Sequence, residues 1–234
     1  MNNSTLQIKI KQRLNKLASN DYDNIECWQI VEAFNKAQIQ WVRRQLAGIN
    51  IQKQGDEQSK RKIDDLQPLL TTTALSTVNM PDYVMSESLP PDYMEFKRID
   101  AYASSDCCPN PRRMIVYLAE EANAAILLRD TNKKPSFEWA ETFCTLAGNK
   151  IKVYTESDFT IDTVNLIYYR NPFEIQILGC VNPYTGFVVK SDVPCEFKDD
   201  VAETIVDDAV QVLAGDIESI TQYQIAQSSS EENS

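Results

Sequence analysis

Between Cys195 and Val210 the chain reads CEFKDDVAETIVDDAV, which places six carboxylates and one thiol within sixteen residues. Carboxylates at that density can hold a divalent cation through oxygen ligands. They can also form an acid/base pair when two share a desolvated place. Either use requires the groups to converge on a concave site. At 100° per residue they splay instead. Val201, Ala202, Ile205, Val206, Ala209, Val212 and Leu213 gather on one half of a helical wheel, and Asp200, Glu203, Thr204, Asp207 and Gln211 on the other. The pattern predicts an amphipathic helix with an acidic, solvated stripe. Asp200 and Glu203 have the spacing of a capping box, and Asp199 and Asp200 suit the positive end of the helix dipole, by ~0.3–1 kcal/mol each. Asp200, Glu203 and Asp207 stay in view as the edge of a contact, should a partner surface cover them.

The other residues that carry chemistry form no familiar set. The sequence contains no histidine, which removes Ser-His-Asp and Cys-His nucleophile pairs and the usual general base near neutral pH. The cysteines are Cys27, Cys107, Cys108, Cys144, Cys180 and Cys195, with no CxxC pair. They are expected to be reduced thiols serving as small apolar side chains. Gly55 to Lys60 lacks P-loop spacing, and neither GxGxxG nor GxSxG occurs. No catalytic, cofactor-binding or metal-binding residues are assigned, and no cofactor is expected. Lys60-Arg61-Lys62 is read as a solvated loop. Arg112 and Arg113 follow Cys-Pro-Asn-Pro, where a surface turn competes with an anion site or a contact to an acidic neighbour. Trp28 and Trp41 lie at helical spacing, which suits core packing more often than a partner.

The elements that position these residues fall into three regions. Residues 1–65 are expected to be a helical section with a charged connector. Leu6, Ile10, Leu14 and Leu17 form a first apolar stripe, broken by Asn20-Asp21. A second helix over 24–47 carries Ile25, Trp28, Phe34, Ala37 and Trp41, with Arg43-Arg44 in its last turns and Gly48 just beyond. Residues 49–65 form the polar connector. Residues 66–220 are expected to be a β-rich domain closed by the C-terminal helix. β-prone runs lie at 69–78, 83–88, 93–103, 114–118, 137–145, 150–155, 163–169, 174–178 and 186–189, with turn signals such as CPNP, GN and NPYTG between them. Residues 120–130, EEANAAILLRD, read as a short helix. Residues 221–234 are expected to be a disordered acidic tail. The fold class is α+β: a helical N-terminal section, a β-rich middle and an amphipathic C-terminal helix packed on it.

Net charge is −11. Residues 1–70 carry 11 Lys/Arg and 8 Asp/Glu, whereas residues 191–234 carry 1 and 11. So acidic a chain repels nucleic acid rather than holding it. No apolar run approaches the ~20 residues of a membrane span. The first sixteen residues show no signal-peptide pattern, so the protein is expected to remain in the cytoplasm of the cell that makes it.

One set of segments resembles a known family. It consists of the helical N-terminus, Leu89-Pro90-Pro91-Asp92-Tyr93, then Arg129-Asp130 with Lys134-Pro135-Ser136, the pair KIKVYT and TVNLIYYRNP, and finally VPCEFKDDVAETIVDDAVQVLAGDIES. Over roughly residues 80–220 this is similar to the head–tail connector (adaptor or ring) proteins of short-tailed bacteriophages, particularly the crAss-like group. Tyr168-Tyr169-Arg170-Asn171-Pro172 and Glu203 to Val210 match the family's strand ending and terminal helix. The family pattern often has a histidine near the start of that helix, which this chain lacks. The resemblance implies a non-enzymatic virion protein that forms a dodecameric ring beneath the portal. Its partners would be its own copies, the portal and neighbouring tail proteins, with DNA only as passing cargo and no membrane. Segregated charge would suit subunits packed side by side. The competing expectations are another tail-ring or capsid-associated virion protein, a carboxylate- and metal-dependent nuclease, and a soluble regulator binding a host protein.

Overall fold

In a computed structural model of the chain, residues 1–17, 25–47, 63–106, 108–216 and Ser228 are described. The expected break at Asn20-Asp21, Gly48, most of the polar connector with Lys60-Arg61-Lys62, Cys107, and all of the 221–234 tail but Ser228 lie outside these residues. The fold is α+β. The chain divides into two compact units, Met1–Pro68 with Pro172–Ser234, and Leu69–Asn171.

The first unit is built from apolar stripes. Helix α1 (Asn3–Leu17) buries Leu6, Ile10 and Leu14, successive i, i+4 positions on one face. Helix α2 (Cys27–Leu46) buries Ile30, Ala33, Phe34, Ala37, Trp41 and Val42. Its N-terminus is closed by Gln29, whose Oε1 accepts the Glu26 backbone N–H at 3.0 Å. The C-terminal helix, named α4 because α3 lies in the second unit, spans Asp199–Asp216 and buries Val201, Ala202, Ile205, Val206, Ala209, Val210, Leu213 and Ala214. It packs against both α1 and α2. Each fully buried aliphatic side chain of these stripes is worth ~1.5–3 kcal/mol.

The second unit is an eight-stranded sheet in the order β1-β8-β4-β5-β6-β7-β3-β2. The strands are β1 (Leu70–Ala74), β2 (Thr77–Asn79), β3 (Tyr83–Ser86), β4 (Tyr93–Ser105), β5 (Cys108–Leu118), β6 (Glu141–Ala147), β7 (Lys150–Tyr154) and β8 (Thr160–Arg170). The edge strands β1 and β2 are joined by only Leu75 and Ser76. The two edges of the sheet must therefore lie close together, so the sheet rolls up on itself. Inward-facing Ile99, Ala101, Met114, Cys144, Val153, Val164, Leu166 and Tyr168 fill the roll. Every neighbouring pair is antiparallel except β5–β6, whose parallel pairing needs the crossover through α3 (Ala124–Arg129). Gly148 and Asn149, both at positive φ, make the two-residue turn between β6 and β7 that the sequence signalled.

Several expectations shift in detail. The run 69–78 is two strands, and the runs 174–178 and 186–189 form no strand, only isolated bridges. CPNP belongs to strand β5, because Ser105 pairs with Cys108 and the turn falls before it. Arg112 and Arg113 consequently sit on a strand rather than in a turn.

Candidate interaction surfaces

The acidic helix is largely an internal seam. Lys9 is ion-paired with Glu203. Arg13 reaches Glu203 Oε2 and Asp207 Oδ1, both at 2.5 Å, and also donates to the Glu203 carbonyl at 3.1 Å. The amino terminus of Met1 sits 2.5 Å from Asp199. Asp199, Glu203 and Asp207 lie at i, i+4, i+8 and meet Met1, Lys9 and Arg13 in ascending order, so α1 and α4 run parallel. The solvated-stripe reading is corrected for Glu203 and Asp207. The basic patch that answers them is the chain's own first helix. The capping box is corrected too, since the helix begins at Asp199 and Glu203 faces α1. Asp200 stays on the exposed side. The hydrogen bond and the charge of the amino terminus hold the Asp199 carboxyl below its ordinary value.

Asp208 was not singled out by the sequence reading. It is 4% exposed and ion-paired with Arg44 of α2. Its position, three residues after Ile205 and seven after Val201, sets a charge on the apolar stripe. That placement was the available signal, because a buried carboxylate requires a partner.

The most exposed apolar feature of this unit is the segment between Pro172 and Lys198, which carries no regular strand. Its stem is linked by isolated bridges, Gln176 to Val193 and Val181 to Val188, which makes it a loose hairpin arm. The tip is the predicted NPYTG turn. Asn182 Oδ1 accepts the backbone N–H groups of Tyr184 at 2.9 Å and Thr185 at 3.2 Å, and Gly186 supplies the positive φ.

The arm's base is fastened by amide side chains, of which Asn3 and Gln38 are buried and Asn35 half-buried. Asn35 Oδ1 accepts the Ile175 N–H at 2.9 Å, and Gln38 Nε2 donates to the Phe173 carbonyl at 2.8 Å. Asn3 Nδ2 donates to the Gln176 carbonyl at 2.7 Å and the Val193 carbonyl at 3.2 Å. A disulfide between Cys27 and Cys180, with Cα atoms 5.8 Å apart, ties the stem to the start of α2. The expectation of six reduced thiols is overturned for this pair. The fold brings two cysteines 153 residues apart in sequence within bonding distance, and spacing alone cannot reveal that. The remaining described thiols are exposed Cys108 and buried Cys144 and Cys195. Burial pushes Cys144 up to about 12 and also raises Cys195.

On this braced base the tip exposes Tyr184 (79%) and Phe187 (76%), beside Phe173, Leu178, Val181 and Val188. A groove of about 610 Å³ runs between α2 and the arm, lined by Trp28, Val31, Glu32, Glu174, Ile177 and Phe187 among others. Trp28 is half-buried, with its indole N–H on Glu26 at 2.5 Å. Trp41 is a core residue, edge-on to Phe197 at 5.3 Å, and presents no surface to a partner.

In the second unit Arg113 pairs with Asp100 at 2.7 Å, and Arg112 donates to the Phe137 and Glu138 carbonyls at 3.1 Å each. Two segments of the family resemblance meet there. The Tyr168 hydroxyl donates to Asp92 at 2.8 Å, the Asn171 N–H donates to the Asp92 carbonyl at 2.7 Å, and the rings of Tyr93 and Tyr168 lie 5.7 Å apart. Burial raises Tyr168 and Tyr93 above the ordinary tyrosine value.

Among the described residues no three His, Cys, Asp or Glu side chains are grouped to hold a metal ion. No described helix is long and apolar enough to cross a membrane. No protein-family model matches the chain, and no curated protein matches it in sequence.

Proposed function

We propose that this protein is a non-enzymatic structural component of a tailed-phage virion, a ring-forming head–tail connector that joins the portal to the tail. The observation that carries this reading is the braced arm. Large apolar side chains held out on a covalently tied, hydrogen-bonded base mark a protein–protein contact, because isolated soluble chains rarely leave such clusters open. The Asp92–Tyr168 contact supports the family resemblance by giving two of its motifs one structural role. The net charge of −11 suits a conduit that lets DNA pass without adsorbing it. Glu203, Asp207 and Asp208 take part in helix packing, which favours a structural part over a nuclease.

Quantitative mass spectrometry of purified particles tests this proposal. A connector is present at the copy number of the portal. A chain absent from the particle, or present at hundreds of copies like a capsid component, refutes it.

A further inference from the structure

The arm's polar attachments end well short of its tip. Asn3, Asn35 and Gln38 hold Phe173, Ile175, Gln176 and Val193, and Asp192 Oδ1 accepts the Leu178 N–H at 2.8 Å. Among the described residues, no hydrogen bond or ion pair from 181–191 leaves the arm. None of those eleven positions is buried either, whereas Cys180 just before them is 5% exposed. The distal hairpin keeps bonds of its own. The Asn182 N–H donates to the Phe187 carbonyl at 3.0 Å, and the Val189 N–H to the Cys180 carbonyl at 2.9 Å. A two-stranded hairpin alone in water is marginal. The direction of Tyr184 and Phe187 therefore depends on one covalent bond, Cys27–Cys180, set beside the groove between the arm and α2.

The two sulfurs differ in access. Cys27 is half-buried and opens α2, whose N-terminus favours a thiolate there. Cys180 is buried, so an incoming thiolate attacks Cys27 Sγ. The S–S bond breaks, and Cys180 leaves as a thiolate and takes a proton from water. A second external thiolate then attacks the incoming sulfur of the mixed disulfide. Cys27 is released and protonated, and the two external thiols depart joined as their own disulfide. Two electrons thus pass from external thiols to the cysteines, and a small disulfide such as oxidised glutathione reverses each step.

We propose that Cys27–Cys180 is a redox latch on the arm, opened by small thiols and closed by small disulfides. Closed, it holds the Tyr184–Phe187 tip over α2. Open, residues 181–191 move free of α2 while the amide-pinned base stays in place. A reducing cell interior opens the latch, and release into an oxidising medium closes it. The latch stands on the arm's own geometry, and its use in docking rests on the ring reading above.

Hydrogen exchange of the native protein, read by mass spectrometry at short labelling times, tests it. Reduced glutathione is expected to open the bond in the folded chain and to speed exchange over 181–191 by about tenfold or more. Exchange over α4 is expected to stay unchanged at the same times, and oxidised glutathione to restore the slow rate. Cys27→Ser and Cys180→Ser are each expected to show the fast rate with or without glutathione. A bond that resists glutathione until the chain is denatured overturns the latch. So does exchange over 181–191 that ignores the bond, or a rise shared equally by α4, which marks a general staple instead. None of these results alters the copy number in the particle, so the ring reading is judged separately.

Discussion

Replacing Arg44 with methionine isolates the buried carboxylate on which the packing of α4 depends. Asp208 is 4% exposed, whereas its partner Arg44 keeps 38% of its side chain in water. Breaking a fully buried pair by removing one partner costs ~3–5 kcal/mol, and an exposed pair is worth ~0–1 kcal/mol. This pair lies between those limits, so Arg44→Met is expected to cost about 2 kcal/mol. For a chain of this size that corresponds to a fall in Tm of ~4–8 °C. Adding Asp208→Leu removes the buried carboxylate that Arg44 had faced and extends the apolar stripe of Val201 and Ile205, so the double variant is expected within ~1 kcal/mol of the parent. Urea unfolding of the parent, both single variants and the double variant closes the cycle. An Arg44→Met change below ~0.5 kcal/mol, or a further loss on adding Asp208→Leu, refutes the claim that this acid is a packing group.

Arg13→Leu severs the contacts to Glu203 and Asp207, and with partial burial it is expected to cost ~1–3 kcal/mol, read by thermal melting. Reduction, or Cys180→Ser, releases a loop closed over 153 residues and is expected to destabilise the chain by up to about 5 kcal/mol on the chain-entropy model; unchanged melting under reductant contradicts the bond's structural role. Alkylation of the native protein should label Cys108 and spare Cys144 and Cys195, with Cys27 and Cys180 reacting only after reduction, as peptide mapping can establish. Glu121 is held below its ordinary value of 4.5, chiefly by the hydrogen bond from Lys152 and then by that from Thr145. A depressed acid stabilises fully above that value and loses its contribution as the pH falls through the folded one, so the acid limb of a Tm–pH profile should flatten in Glu121→Gln.

Period alone located most of the elements. Leu6, Ile10 and Leu14 marked α1, the alternation of Lys150 to Tyr154 marked β7, and Gly148-Asn149 and NPYTG marked their turns, because each signal is local. Which elements meet was not legible in the same way. Lys9 and Arg13 answer carboxylates about 190 residues later, and no feature of either segment names its partner. The wheel sorted Glu203 and Asp207 to the polar half correctly, yet a polar half can face a cationic helix as readily as water. Asp208 was missed, although its place on the apolar stripe was a usable signal. The Cys27–Cys180 bond had no such signal, since disulfide connectivity depends on distances that only the fold sets. The arm's turn could be read from NPYTG, but its bracing depends on Asn3, Asn35 and Gln38, polar residues whose partners follow from tertiary packing.

Electron microscopy of the purified protein mixed with a portal protein encoded beside it tests the connector proposal most directly. The expected image is a ring of copies seated coaxially on the portal, with the portal's rotational symmetry. A chain that forms no ring and leaves the portal bare contradicts it.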